Sequence, residues 1–188
     1  MERKIKEVDR KEERKQKGMV TKRATKLTEY GRQLLEKQKL KETYGMRERQ
    51  FKRFFAIARQ SREATGEQLL SLLERRLDNV VFRLKLATTR NQARQVIVHG
   101  HVIVNNTKVH SPSYLVKIND EVSLSPASAK KEEFVKQVVD KRGAAAAKVP
   151  DWLEHNKKDR RGKVLRFPVR ADVQIQVNEN SIVELYSK

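Results

Sequence analysis

The architecture of this chain is best read from residues 73–116, LERRLDNVVFRLKLATTRNQARQVIVHGHVIVNNTKVHSPSYLV. Up to Gly100 the apolar residues recur at helical spacing, and beyond it they alternate with a period of two. Thr89, with Gln92 three residues later, fits a capping box, and Gly100 is a natural residue to follow a helix end. The pattern predicts a helix over residues 78–86, a tight turn, and a second helix that ends at Gly100.

The period-two segment predicts a small antiparallel sheet. Residues 102–109 form the pattern of a β-hairpin, because Asn105 and Asn106 can supply the positive φ angles of a tight primed turn. Residues 113–118 and 121–124 predict two further short strands around Asn119 and Asp120. The stretch therefore predicts two helices followed by a sheet.

The flanking segments predict a helical bundle. Apolar residues at helical spacing favour helices over residues 28–43, from Arg47 onward and from Glu67 onward, and their apolar faces would pack together. Residues 131–141 also have a helical pattern, residues 165–167 and 173–177 read as extended, and the apolar residues 181–186 need a docking surface. Residues 1–23, which are charged and almost free of large apolar groups, are typical of an arm that is disordered or ordered by a partner.

The composition indicates a polyanionic partner. The net charge is +19 over 188 residues, and the excess of positive charge lies between Lys22 and Lys117. Such a charge favours binding to nucleic acid, with an anionic membrane surface as the other candidate. The absence of cysteine excludes disulfides and thiolate metal sites, and no apolar run approaches the roughly 20 residues that span a bilayer. Because the first residues lack an apolar core and are rich in acids, we expect neither a secretory signal nor a transit peptide, and we expect a cytoplasmic protein.

Basic and amide side chains interleave with the apolar positions of the two central helices. If the apolar set faces inward, this polar set is left on an outer surface. Guanidinium groups there could bind phosphates in bidentate fashion, and amides could reach 2′-hydroxyls. The isolated Asp78 among arginines is expected to be an ion-pairing scaffold residue. The interleaved set is Arg75, Arg76, Asn79, Arg83, Arg90, Gln92, Arg94 and Gln95.

The segments LERRLDNVVFR, RNQARQ, HGHVIVNN and SPSYLV resemble, in order and spacing, the RNA-binding module of the small-subunit ribosomal protein S-four family. EKQKLKETYGMRERQFKRFF upstream, and VPDWLE and SIVELYSK downstream, are also similar to that family, so that the likeness covers roughly residues 28–188. The resemblance implies an α+β fold in which an RNA-binding domain of two helices and a small antiparallel sheet is inserted into a small helical domain. The expected divisions are a basic arm over 1–23, a helical domain over 24–74 completed by 175–188, and the inserted domain over 75–174 with its core at 75–124.

The resemblance also implies a function. We expect a primary binder of small-subunit ribosomal RNA that nucleates subunit assembly, contributes to translational accuracy, contacts the fifth small-subunit protein and helps line the mRNA entry channel. Many family members begin with a longer segment that carries cysteines, whereas this N-terminus has none, and we therefore carry over no zinc site. The expected RNA-binding residues are Arg32, Lys37, Gln38, Lys39, Tyr44, Arg49, Gln50, Arg53, Arg76, Asn79, Arg83, Arg90, Gln92, Arg94, Gln95, His99, His101, Asn105, Lys108, Ser113 and Tyr114.

Two alternative functions stay open at this point. The chain could be a free-standing RNA chaperone or regulator built on the same module, or a DNA-binding protein that uses residues 88–100 as a recognition element. Some of the expected RNA-binding residues could instead have a purely structural role. His99 and His101 could belong to a turn, and Tyr44 and Tyr114 could pack in the interior. An enzyme is not expected, because the sequence contains no glycine-rich phosphate loop, no G-x-S-x-G and no cysteine nucleophile. We expect neither a cofactor nor a metal.

Overall fold

A computed structural model describes residues 28–131, 135, 148–156 and 159–187 of the chain. The expected arm over 1–23 and nearly all of the expected helix over 131–141 lie outside these residues. The chain divides into a compact unit over residues 1–32 and another over residues 33–188. Of the first unit only residues 28–32 are described, and they begin the first helix.

The described elements are α1 (Glu29–Thr43), α2 (Glu48–Arg59), α3 (Thr65–Glu74), α4 (Leu77–Arg83), α5 (Arg90–Val98), β1 (Val102–Val104), β2 (Thr107–Lys108), β3 (Glu121–Leu124), α6 (Pro126–Ala129), β4 (Leu153–Asn156), β5 (Arg161–Val164), a 3-10 turn (Arg170–Asp172) and α7 (Glu179–Ser187). The five strands form one antiparallel sheet in the order β2-β1-β3-β5-β4. Helices and a small antiparallel sheet confirm the predicted α+β class.

The first hydrophobic core is helical. It contains the leucine stripe of α3, the phenylalanines of α2 and the end of α1, and it is completed by Val173, Val177 and Ile182 from the C-terminal segment. The apolar end of the chain thus finds its docking surface on α2 and α3. The ring of Tyr186 stacks on that of Phe55 with a centroid distance of 4.5 Å.

The second core lies between the sheet and helices α4 and α5. Leu77, Val81 and Ile97 pack from the helices, and Val102, Val122 and Trp152 pack from the sheet side. The β1–β2 hairpin has the predicted turn, with φ of 48° at Asn105 and 65° at Asn106. The Thr89 hydroxyl accepts the Gln92 N–H at 3.1 Å, which is one half of the predicted capping box, whereas the Gln92 side chain accepts the N–H of Thr88 instead of that of Thr89.

Two details differ from the prediction. Residues 113–118 do not form a strand, since only an isolated bridge between Arg76 and Leu115 is present. The reason is that Leu77 and Asp78 donate their N–H groups to the carbonyls of Tyr114 and Pro112, which ties this segment to the start of α4 instead of to the sheet. The sheet instead continues through β5 and β4, for which no strand was predicted, whereas residues 165–167 and 173–177, which were expected to be extended, form no strand.

We predict that Gly162→Ala destabilises the second core. A Cβ at this position would collide with the buried side chain of Leu84, whose Cγ would be only 2.8 Å away. Overpacking of this kind costs about 1–3 kcal/mol, measurable by urea unfolding. The control is a double-mutant cycle with Leu84→Ala, in which the smaller side chain leaves room and most of the penalty should disappear. Equal penalties in both backgrounds would contradict this assignment.

The Glu48 carboxylate links α1, α2 and α7. It accepts hydrogen bonds from Lys37 at 2.9 Å and from Tyr186 at 3.0 Å, with Lys41 at 3.3 Å. Partial burial opposes the charged form, but the bonds from Lys37, Tyr186 and Lys41 prevail and lower the pKa of Glu48 from 4.5 to about 2. A carboxyl whose pKa is lowered in the folded state contributes stability above its unfolded pKa, and that contribution is lost as the pH falls.

We predict that Glu48→Gln reduces the acid dependence of stability. In the wild type the contribution of Glu48 should be lost between pH 4.5 and about 2. The variant should therefore show a shallower fall of the free energy of unfolding in that window. Guanidinium titrations at a series of pH values measure this, and Glu42→Gln, at an exposed residue of α1, is the control. A slope unchanged from the wild type would contradict the prediction.

Candidate nucleic-acid interface

A buried carboxylate organises the region where α3, α4 and the α1–α2 loop meet. Glu74 is fully buried at the end of α3. Its two oxygens accept hydrogen bonds from the Tyr44 hydroxyl at 2.6 Å, the Asn79 amide at 2.7 Å and the Arg83 guanidinium at 2.9 and 3.2 Å. Every donor that surrounds the charge is thus supplied by a side chain of the chain itself.

This network shifts the pKa values of its members. Burial raises the pKa of Tyr44 well above its usual value, and the neighbouring Glu74 charge adds to the effect. Burial alone would lower the pKa of Arg83, but the bonded Glu74 carboxylate raises it. The pKa of Arg90 is lowered by burial. The Tyr44 hydroxyl consequently stays a neutral donor, and Arg83 stays charged.

Asp78 plays the scaffold role that was predicted for it. Its carboxylate receives two hydrogen bonds from Arg76, at 2.7 and 3.0 Å, and one from Arg94 at 2.8 Å. Arg94 also donates to the backbone carbonyls of Tyr44 and of Gly45. The guanidinium of Arg94 therefore joins α5 to the end of α1.

Arg90 is held between two aromatic rings. Its guanidinium carbon lies 4.6 Å from the centroid of Phe82 and 5.1 Å from that of Tyr44, and its Nε donates to the Asn79 side chain at 2.9 Å. The Asn79 amide nitrogen donates a hydrogen bond to Glu74, and the Asn79 amide oxygen accepts one from Arg90. Arg90 is half-buried and thus only part of it faces solvent.

The prediction that the whole polar set lies on an outer surface is wrong for Arg76, Asn79 and Arg83, which are 2%, 0% and 8% exposed. The physical reason is Glu74, which with Asp78 provides internal partners for these groups. Sequence reasoning missed Glu74 as a binding partner. The signal was available, because Glu74 lies four residues after Leu70 and three before Leu77, on the apolar stripe itself.

The expected RNA-binding residues fall into three classes. Those that are exposed are Arg32, Lys39, Arg49, Gln50, Arg53, Gln95, His99, Asn105 and Lys108. Those that are half-buried are Lys37, Gln38, Arg90, Gln92, Arg94, His101, Ser113 and Tyr114. Those that are buried are Tyr44, Arg76, Asn79 and Arg83.

The α2 helix presents the clearest basic surface. Its inner positions Phe51, Phe54, Phe55 and Ala58 are buried. Its outer positions include four exposed cations, two of which the sequence analysis had not selected. These cations are Arg49, Lys52, Arg53 and Arg59, and Arg47 is exposed immediately before the helix. We call these five residues the α2 basic face.

Two half-buried residues have roles inside the fold. The Gln92 side chain accepts hydrogen bonds from the backbone and hydroxyl of Thr88, so that it closes the turn before α5. The Nδ1 atom of His101 lies 2.8 Å from the Ser128 hydroxyl. Within the described ranges, no three His, Asp or Glu side chains come together in a way that could hold a metal ion, and none of the described helices is both long and apolar enough to cross a membrane.

We predict that Glu74→Gln destabilises the protein strongly. The amide keeps the shape but leaves the Arg83 guanidinium buried without its counter-charge, and breaking a buried pair costs about 3–5 kcal/mol. Denaturant unfolding measures the loss. Glu179→Gln is the matched control, because Glu179 forms a 2.9 Å ion pair with Arg170 that is partly exposed, and it should cost about 1 kcal/mol or less. Similar losses for the two variants would refute the organising role of Glu74.

Two models of known protein families match successive parts of the chain. Residues 1–74 match the model of the ribosomal protein S4/S9 N-terminal domain, and residues 75–122 match that of the S4 domain. The boundary between the two matches coincides with the change from the helical core, which includes Leu73, to the second core, which begins at Leu77.

Similar proteins are known from several bacteria. The chain is 49% identical over 166 residues to the small ribosomal subunit protein uS4 of Halothermothrix orenii, which covers 88% of this chain and 78% of that protein. It is 50% identical over 169 residues to the protein of the same name from Aquifex aeolicus, with coverage of 88% and 79%. These relatives are ribosomal proteins rather than enzymes, which confirms the prediction that the chain is not an enzyme. With about half of its residues identical over most of both chains, this protein belongs to the uS4 family of small ribosomal subunit proteins.

Proposed function

We propose that this protein is a structural constituent of the small ribosomal subunit that binds small-subunit ribosomal RNA directly. The observation that carries the proposal is the α2 basic face, whose five exposed cations lie on, or immediately before, a helix with an apolar inner side. Cations displayed on a rigid helix neutralise phosphates and release counterions from the RNA. The binding should therefore weaken steeply with salt.

The binding mode that fits this surface is recognition of shape. Deep grooves of RNA helices are closed to side chains, and proteins bind folded RNA mainly through phosphates, 2′-hydroxyls and unpaired bases. Arg49 and Arg53 are four residues apart on α2, so that they lie on one side of the helix and can contact neighbouring phosphates. Gln95 of α5 and His99, which directly follows that helix, have the same spacing and are also exposed.

Membership of the family supports a wider role. A protein whose two cores are joined by the buried Glu74–Arg83 ion pair presents its cations in a fixed arrangement, as a primary binder that nucleates subunit assembly would need. We further propose contact with the fifth small-subunit protein, a contribution to translational accuracy, and a position beside the mRNA entry channel, all in the cytoplasm. The proposal also includes the division into two domains. Residues 24–74 and 175–188 form the helical domain, and residues 75–174 form the inserted RNA-binding domain.

The test is binding of a small-subunit ribosomal RNA fragment by filter retention. Arg49→Ala combined with Arg53→Ala should weaken binding by about 1–3 kcal/mol. It should also reduce the slope of log K against log salt concentration by the contribution of about two phosphate contacts. These substitutions are preferable to Arg90→Ala with Arg94→Ala, because those two arginines also hold Asn79 and Asp78 inside the fold. The melting temperature should be unchanged, since Arg49 and Arg53 are exposed.

The control is Lys163→Ala combined with Arg161→Ala, which removes the same charge from exposed positions of β5. An affinity loss equal to that of the α2 variant would mean that only net charge matters and would refute a specific α2 interface. Chemical footprinting of the RNA with each variant then identifies the nucleotides whose protection depends on α2. Unchanged binding and footprint in the α2 variant would refute the proposed interface.

A further inference from the structure

Three helices of the chain end in the same hydrogen-bonded motif. After α1, Gly45 and Met46 donate their N–H groups to the carbonyls of Glu42 and Lys41. After α5, Gly100 and His101 donate to Ile97 and Val96. This pairing defines the Schellman motif, which needs a residue with positive φ just beyond the helix, usually glycine. Gly45 and Gly100 have φ of 56° and 72°.

The helix α4 ends in the same motif without glycine. Lys85 and Leu86 donate their N–H groups to the carbonyls of Phe82 and Val81, and Lys85 occupies the positive-φ position with φ of 62°. The left-handed conformation is unfavourable for a residue with a Cβ, and lysine has no short polar side chain to offset this as asparagine has. Lys85 is thus held in a conformation that glycine would adopt more easily.

One other long side chain of the described residues shares this property. The described positive-φ positions occupied by residues other than glycine are Lys85, Asn105, Asn106, Asn119 and Arg160. Three are asparagines, which tolerate the conformation, and the remaining two are cations. Arg160 has φ of 50° and lies two residues before Gly162.

The fold brings together the two segments that carry these cations. The side chain of Leu84, which directly precedes Lys85, packs against the backbone of Gly162. The segments that carry Lys85 and Arg160 therefore approach each other at the Leu84–Gly162 contact.

Neither cation forms an ion pair within the part of the fold that the structure describes. Among the described residues, no carboxylate pairs with the Lys85 or Arg160 side chain. Residues 75–117 contain a single acid, Asp78, and that carboxylate is already bonded to Arg76 and Arg94. Strained residues persist where surrounding structure holds them in place and tend to cluster at functional sites.

We propose that Lys85 and Arg160 form a second cationic contact to phosphates of ribosomal RNA, separate from the α2 basic face. The inference rests on the proposed function, since the ligand is the same RNA. Two requirements oppose each other at these positions. The backbone conformation favours glycine, whereas binding to the RNA favours a positively charged side chain. Stability and affinity should therefore respond to substitution in opposite directions.

The experiment compares Lys85→Gly and Arg160→Gly with Asn119→Gly, a control at an exposed, uncharged residue with φ of 69°. All three should have a melting temperature equal to or above that of the wild type. Lys85→Gly and Arg160→Gly should each bind the ribosomal RNA fragment about fivefold more weakly at 0.1 M salt, with a salt dependence reduced by about one phosphate contact. Asn119→Gly should bind like the wild type.

Lys85→Gln distinguishes the effect of the charge from the effect of the backbone conformation, because it removes the positive charge and keeps a residue with a Cβ at the positive-φ position. It should bind as weakly as Lys85→Gly while melting like the wild type. The inference would be overturned if Lys85→Gly or Lys85→Gln bound the RNA with wild-type affinity. A lower melting temperature in Lys85→Gly would also overturn it. Neither result would affect the proposed α2 interface. Failure of the wild-type protein to bind the RNA would instead overturn the proposed function and this inference with it.

Discussion

A carboxylate removed from water must be surrounded by donors, and the structure of this protein depends on how Glu74 meets that constraint. Its donors come from the α1–α2 loop and from α4, so that the charge can be satisfied only when the two cores adopt one relative arrangement. A buried ion pair adds little net stability compared with an apolar contact, but it disfavours every arrangement in which one partner is left alone. The network therefore specifies geometry rather than adding strength.

The same constraint divides the arginines into two functional groups. Arg76 and Arg83 are buried in ion pairs and serve the fold. Arg49 and Arg53 lie on α2 with their side chains in solvent and are available to a ligand. Arg90 and Arg94 belong partly to both groups, because each makes internal hydrogen bonds and each remains only half-buried. A positively charged stretch of sequence thus need not be a positively charged surface.

Much of the fold could be predicted from the sequence because it follows from local rules. The cap at Thr89, the stop at Gly100 and the turn at Asn105 and Asn106 each depend on a few neighbouring residues, and all three are confirmed. The strand expected over residues 113–118 was wrong because a nonlocal contact, with the start of α4, uses its carbonyls.

The candidate site was harder to predict for a related reason. Periodicity separates apolar from polar positions, but it cannot show that Arg83 points toward Glu74, nine residues earlier, instead of toward solvent. The family resemblance carried the function, while the structure decided which residues remain available for it. The domain boundaries and the RNA contacts of individual residues stay predictions.

The closure of the helical core by Val173, Val177 and Ile182 has a consequence for synthesis of the chain. The leucines of α3 emerge about one hundred residues before their C-terminal partners, a delay of roughly 5–20 s at ordinary translation rates. Near the end of that interval the second core, whose last member is Val164, has all of its members, before Val173 has been made. The nascent protein therefore completes its later core first, and the earlier one waits with an open apolar groove that a chaperone could cover.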